Sequence, residues 1–266
     1  MKKKYWSPFI LGITFFSFCV TGFCQANEDS VMMANSERWE VKQHKGLFGL
    51  CKPEFGNFTT IDVGKINSLV IKKKTKDGTA LDYDISRAGV HIEQSKFLII
   101  EKAKAYKLRV ASDTDTTEAV FSISSISREK RQTFLSKMLS KNNEGKDMTL
   151  SYDRDIKGII INTGVSTMQW EFFIENFTSG SRATSGSYTS EVSISGGYLK
   201  NDRDFLSIMY TSSPTDLTLV NARGEHIAGL NYKQKTLYIW IRNDIESSYR
   251  KAIAALFAVI IGVKDS

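Results

Sequence analysis

Between Ala252 and Val263 the chain runs for twelve residues without a polar side chain. A helix built from them has no wet face and must avoid water on every side. At 1.5 Å per residue it rises about 18 Å, well short of the roughly 30 Å of hydrocarbon that a membrane span has to cross. The alternative is enclosure by protein. Ala252, Ala254, Ala255 and Ala258 suit walls that approach closely. Ser247 or Ser248 can cap such a helix, and Glu246 lies near its positive end. The sequence therefore predicts a buried helix over 247–264 and requires something to surround it.

The preceding chain supplies the material for a wall. ALDYDIS alternates Leu81, Tyr83 and Ile85 with Asp82 and Asp84, and YKLRVAS alternates Tyr106, Leu108 and Val110; period two with one wet face is a strand signal. SLVIKKKT, EAVFSISSI, MTLSYD, KGIIIN, MQWEFFIENF, YTSEVSISGGYLK, DFLSIMYTS, TDLTLVNA, EHIAGLNYK and TLYIWIRND read the same way, and GVHIEQSKFLIIEKA reads as two strands around a polar turn. Turns are predicted at Asp77-Gly78 and Arg223-Gly224. SGSRATSGS reads as a loop, and Pro53 and Pro214 fall outside the strand interiors. One interruption has helical spacing: Phe134, Leu135, Met138 and Leu139, with Ser127 as N-cap and Asn142, Asn143 and Gly145 as a stop. The expected fold is mainly β, a closed antiparallel barrel of about twelve strands around the hydrophobic C-terminal helix, with one extra short amphipathic helix mid-chain. No linker divides the chain, so residues 39–266 are read as a single domain and 27–38, polar and Met-dotted, as a flexible segment before it.

The first 26 residues form a separate unit. Lys2, Lys3 and Lys4 precede an apolar core from Phe9 to Val20, and Cys24-Gln25-Ala26 resembles a small-x-small cleavage site. This predicts export to the periplasm or beyond, with an uncleaved anchor or a lipid-modified Cys24 or Cys19 as alternatives. Cleavage lowers the Lys and Arg count from 36 to 33 against 29 acids, so the net charge falls from +7 to +4. So mild a charge, on an exported chain, excludes nucleic acid as the expected partner. Cys51 alone then remains, so no internal disulfide can form and the fold rests on its core. Cys51 beside Leu50 reads as a small apolar filler.

The strand TLYIWIRND, a polar turn and then YRKAIAALFAVIIGV resemble the end of the tubby-like superfamily, which includes the LURP-one-related and phospholipid scramblase proteins. QWEFFIENF and LTLVNARGEHIAGL upstream are similar in style. The resemblance implies a closed barrel of about a dozen antiparallel strands around a hydrophobic helix. Tubby proteins hold phosphoinositide head groups with basic side chains, but none of those positions aligns here and none is carried over. A shared fold implies activity only weakly.

Enzyme motifs are not evident. His44, His91 and His226 stand far apart, with no H-E-x-x-H, no Cys/His cluster and no G-x-S-x-G elbow. Asp82 and Asp84, like Asp153 and Asp155, fit solvated strand faces better than an acid/base pair. The densest charge is Lys72, Lys73, Lys74 and Lys76. It reads either as a patch for anionic lipid or polysaccharide, or as lysines that protect a strand edge. The expected activity is that of an exported, non-enzymatic binding or envelope-associated protein without a cofactor. Peripheral membrane association, through the lysine run on anionic lipid or through the C-terminal tail if that is not buried, and a secreted enzyme with an unrecognised site are the alternatives. Neither ligand nor oligomeric state can be read from the residues.

Overall fold

The computed structural model describes residues 29–46, 50–74, 95–113, 115–132, 148–163, 168–175, 178–184, 187–210, 215–231 and 236–264, with backbone alone at 72–74, 95–98, 128–132, 148–153, 178–184, 187–193 and 264. A helical turn, α1, covers 29–34. The strands follow as β1 (Ser36–Glu40), β2 (Lys42–Lys45), β3 (Cys51–Phe55), β4 (Phe58–Lys74), β5 (Ser95–Ala111), β6 (Thr116–Gln132), β7 (Met148–Asn162) and β8 (Gln169–Glu175). Then come β9 (Thr178–Thr184), β10 (Ser187–Ser193), β11 (Gly196–Lys200), β12 (Phe205–Tyr210), β13 (Leu217–Asn221), β14 (His226–Asn231) and β15 (Tyr238–Arg242), and the helix α2 (Ser247–Lys264) closes the chain.

Thirteen strands form one antiparallel sheet in the order β1-β15-β14-β13-β12-β11-β8-β7-β6-β5-β4-β3-β2. Its two edges, β1 and β2, are successive halves of one extended segment that meet at Val41. β1 ladders to β15 from Ser36↔Arg242 to Glu40↔Tyr238, and β2 ladders to β3 from Lys42↔Glu54 to Lys45↔Cys51. At the changeover the Val41 N–H donates to the Leu237 carbonyl, 2.9 Å away. One stave thus joins both edges, and the sheet curls into a barrel with α2 inside, as the sequence predicts.

The alternation explains the wall. Tyr106, Leu108 and Val110 of β5, Ala119, Phe121 and Ile123 of β6, and Trp170, Phe172 and Ile174 of β8 are buried at every second position. Every large side chain of α2 from Ile253 to Val263 is at most 2% exposed. The run that lacks a polar face meets wall on all sides. No described helix is long and apolar enough to cross a membrane. Polar contacts fix the entry of α2. The Asn162 amide donates to the Ser248 carbonyl at 2.9 Å, Lys251 pairs with Asp115, and Tyr249 stacks on Trp170 with centroids 5.0 Å apart. The Arg250 N–H donates to the Glu246 carbonyl, so Glu246 occupies the capping position and the Ser248 hydroxyl donates to its carboxylate instead of capping.

Several expectations are corrected. Residues 29–38, read as flexible, are built into the molecule. Asp29 and Met32 are buried, Asp29 lies 2.6 Å from His226 Nδ1, and 36–40 are the first stave. Gly229 makes this docking possible, since a Cβ there would stand 2.5 Å from Thr215 Cγ2 and 3.1 Å from Met32 Cε. Ser127 caps no helix: it pairs with Ile100 and Tyr152 within β6, which continues to Gln132. The remainder of the expected mid-chain helix lies outside the described residues, as do ALDYDIS, Pro214 and the leader. SGSRATSGS, read as a loop, is strand where it is described: 178–184 and 187–193 are β9 and β10, paired from Thr184↔Ser187 to Thr178↔Ser193 and separate from the large sheet. Pro53 sits inside β3 opposite Gln43, where the ladder to β4 has already ended, so its missing N–H leaves no β4 partner unmet. The turn at Arg223-Gly224 is as read. Gly224 takes φ 82°, and Asn221 Oδ1 accepts from the amides of Arg223 and Glu225.

Candidate anion-binding site

Four staves are much longer than the barrel is tall. β4, β5 and β6 have 17 residues each and β7 has 15, on the order of 50 Å at 3.3 Å per residue. β8 ladders only to Ile156–Ile161 of β7, and β3 only to Phe58 and Thr59 of β4. Beyond Ser68, Lys104, Ile123 and Ile156, which lie in one cross-strand row, the four strands continue as a blade. It leaves the barrel at the end where α2 finishes: the last turn lies against Cys51 and Leu108, with the Cys51 thiol donating to the Ile261 carbonyl at 3.2 Å. Cys51 is therefore a buried filler, as expected.

Along the inner face of β5 the side chains change character where the barrel stops. Val110, Leu108 and Tyr106 are buried under α2; the next two inward positions are Lys104 and Lys102. Register sets Lys102 opposite Ser125, and Ser125 opposite Arg154. Lys, Ser and Arg thus stand side by side in one row across three strands. With Lys104, Tyr106, Ile123 and Ser127 they line a hollow of about 140 Å³. Three of these seven side chains are cations, three carry hydroxyls and none is a carboxylate. Arg154 is only 5% exposed and Tyr106 only 2%, while Lys102 and Lys104 reach solvent. Burial pushes the Tyr106 phenol up, and the positive charge of Arg154 pulls it the other way. At neutral pH the hydroxyl therefore keeps its proton and can donate. Rigid strands thus hold cations and donors in one concavity, which suits an anion with several acceptor oxygens.

Two larger crevices, about 610 and 600 Å³, open elsewhere and are less apt. Each sets carboxylates among its cations: Glu171 lies 3.3 Å from Lys200 beside Asp202 and Arg203 in one, and Glu37 lies 3.6 Å from Arg250 beside Asp113 and Lys251 in the other. Among the described residues no three His, Cys, Asp or Glu side chains converge on a point. His44 is exposed beside Glu54 at 3.3 Å, and His226 is buried against Asp29. His91, Asp82 and Asp84 lie outside the described residues.

By backbone register the lysine run lies further along the blade than Val70, which pairs with Lys102. Lys72, Lys73 and Lys74 are the last residues of β4, at the register positions of Ile100, Ile99 and Leu98; Lys76 is outside the described residues. The hollow itself has no linear signature. Arg154 lies half a hundred residues beyond Lys102 and Lys104 and meets them only through the β5–β6–β7 register. The one sequence cue was a lysine at each of two inward positions of a strand that is otherwise apolar on that face.

No family model, curated protein or solved structure matches the chain.

Proposed function

We propose that this chain is an exported, non-enzymatic binding protein of the cell envelope, built on a tubby-like barrel, that holds an anionic group in the hollow at the base of its blade. The observation that carries this reading is the buried Arg154 in one row with Ser125 and Lys102, flanked by Lys104 and Tyr106. The tubby-like part is supported by the resemblance of the last strand and helix, together with the barrel and its central helix. Export is supported by the leader-like first 26 residues.

A lipid headgroup and an envelope polysaccharide present the same anionic chemistry, and the test separates them. The chain from Asn27 onward is floated with neutral phosphatidylcholine vesicles and with vesicles containing phosphatidylglycerol, at low and high salt. A soluble sulfated polysaccharide serves as competitor. Binding to anionic vesicles alone, weakened by salt and lost on replacing Lys102 and Lys104 with Gln, supports a lipid ligand. Binding to the polysaccharide alone, lost in the same variant, supports a polymer ligand. Unchanged binding in that variant refutes the site. Salt-resistant binding to both vesicle types would mean that α2 inserts, which its burial argues against.

A further inference from the structure

The blade has an unusual edge. Past Thr59, no described strand pairs with β4 on the side away from β5. Four large apolar side chains stand exposed within six residues of it: Ile66 at 57%, Leu69 at 57%, Val70 at 53% and Ile71 at 40%. Leu69, Val70 and Ile71 are consecutive, so they point to alternate faces and leave apolar surface on both sides of the strand. An unpaired edge presents a row of backbone donors and acceptors, a template for another strand. Edges are commonly protected by charge along their length; here the charges, Lys65 and Lys72 to Lys74, sit at the two ends of the apolar stretch and leave its middle open.

We propose that residues 66–74 of β4 receive an extended segment of a partner protein, alternately apolar and acidic, which adds to the blade as a fifth strand. Backbone hydrogen bonds supply affinity in this mode, and the flanking side chains supply selectivity. Charge selects the occupant. From Lys65 to Lys74 the strand carries four lysines and no acid. An antiparallel pairing with a second copy that overlays 66–71 on itself would set Lys65 opposite Lys72, twice by symmetry, and like charges directly opposite are destabilising. An acidic strand meets the same positions with the opposite sign.

The test uses the chain from Asn27 and three synthetic peptides: alternating Val and Glu, the same peptide N-methylated at every second residue, and alternating Val and Lys. Binding is read by fluorescence anisotropy, and the β4 amides by hydrogen exchange. The expected result is that the acidic peptide binds and slows exchange across 66–74, while the N-methylated and Lys peptides bind at least about tenfold more weakly. Leu69→Glu, at an exposed site, should weaken the acidic peptide with the melting temperature unchanged. Equal binding of the N-methylated peptide, or no slowing at 66–74, would overturn strand addition. A concentration-dependent dimer with slowed β4 exchange would assign the edge to a second copy instead. Loss of vesicle flotation in Leu69→Glu without peptide binding would assign it to a lipid surface. Amides of 66–74 as protected in the free chain as those of β5 would mean the edge is already occupied, which also refutes the proposal.

Discussion

Ending the chain after Ser248 removes the plug and leaves the wall. Seven large apolar side chains go with it: Ile253, Leu256, Phe257, Val259, Ile260, Ile261 and Val263, each at most 2% exposed. At about 1.5–3 kcal/mol each, their burial is worth on the order of 10–20 kcal/mol, before counting the inner faces of β3, β5, β6 and β7 that would be left wet. Domains of this kind are stable by only about 5–15 kcal/mol in total. The shortened chain should therefore show no cooperative unfolding in urea and no near-ultraviolet dichroism. A milder form of the same experiment is Phe257→Ala, which should cost about 3–5 kcal/mol. With m of about 1–3 kcal/mol/M, that lowers the urea midpoint by about 1 M or more. A chain ending at Ser248 that unfolds cooperatively at the full-length midpoint would refute the claim that α2 holds the barrel open from within.

His226→Ala should destabilise the molecule by about 1–3 kcal/mol by leaving Asp29 buried without its partner; adding Asp29→Ala should recover part of this, as a double-mutant cycle by thermal melting would show. Gly229→Ala should cost about 1–3 kcal/mol, because its Cβ would press into Thr215, and proteolysis should then cut first near 29–34. Alkaline pH should weaken the fold through two phenols. Burial raises both Tyr106 and Tyr249 above their ordinary value of 10.0, with Asp204 adding to the rise at Tyr249. The folded state therefore holds these protons more tightly than the unfolded chain, so this stability is complete below the ordinary value and lost as pH rises through the folded ones. Urea midpoints measured across that range should fall, and Tyr249→Phe should flatten the fall.

How far the sequence reaches depends on how local the cause is. The run from Ala252 to Val263 specifies its own environment, because nothing but enclosure satisfies it, and the alternation of Tyr106, Leu108 and Val110 assigns a face to β5 directly. What fails is length. β5 reads as separate strands because Lys102, Ala103, Lys104 and Ala105 at its centre have little intrinsic preference for a strand; pairing with β4 and β6 carries it through. Likewise Ser127–Gln132 looks like the polar start of a helix, but it belongs to β6, because β5 and β7 supply partners on both sides. The strand β9 is missed because Ser, Thr and Gly give no hydrophobic period. The flexible look of 29–38 is misleading for another reason: Asp29 and Met32 are matched by His226 and Gly229, nearly two hundred residues away. The hollow is of the same kind, since register, not proximity in sequence, sets Arg154 beside Lys102.

The stave that closes the ring lies near the start of the chain, and its partner β15 and the plug α2 lie at the end. Ser36 pairs with Arg242 across about two hundred residues. Neither closure nor filling can occur until β15 and α2 are present. Contacts this remote in sequence also make folding slow. While α2 is missing, the chain has no enclosed core to form, and the wall stays open. The order of its elements thus acts as a timer that delays the native state until α2 is present.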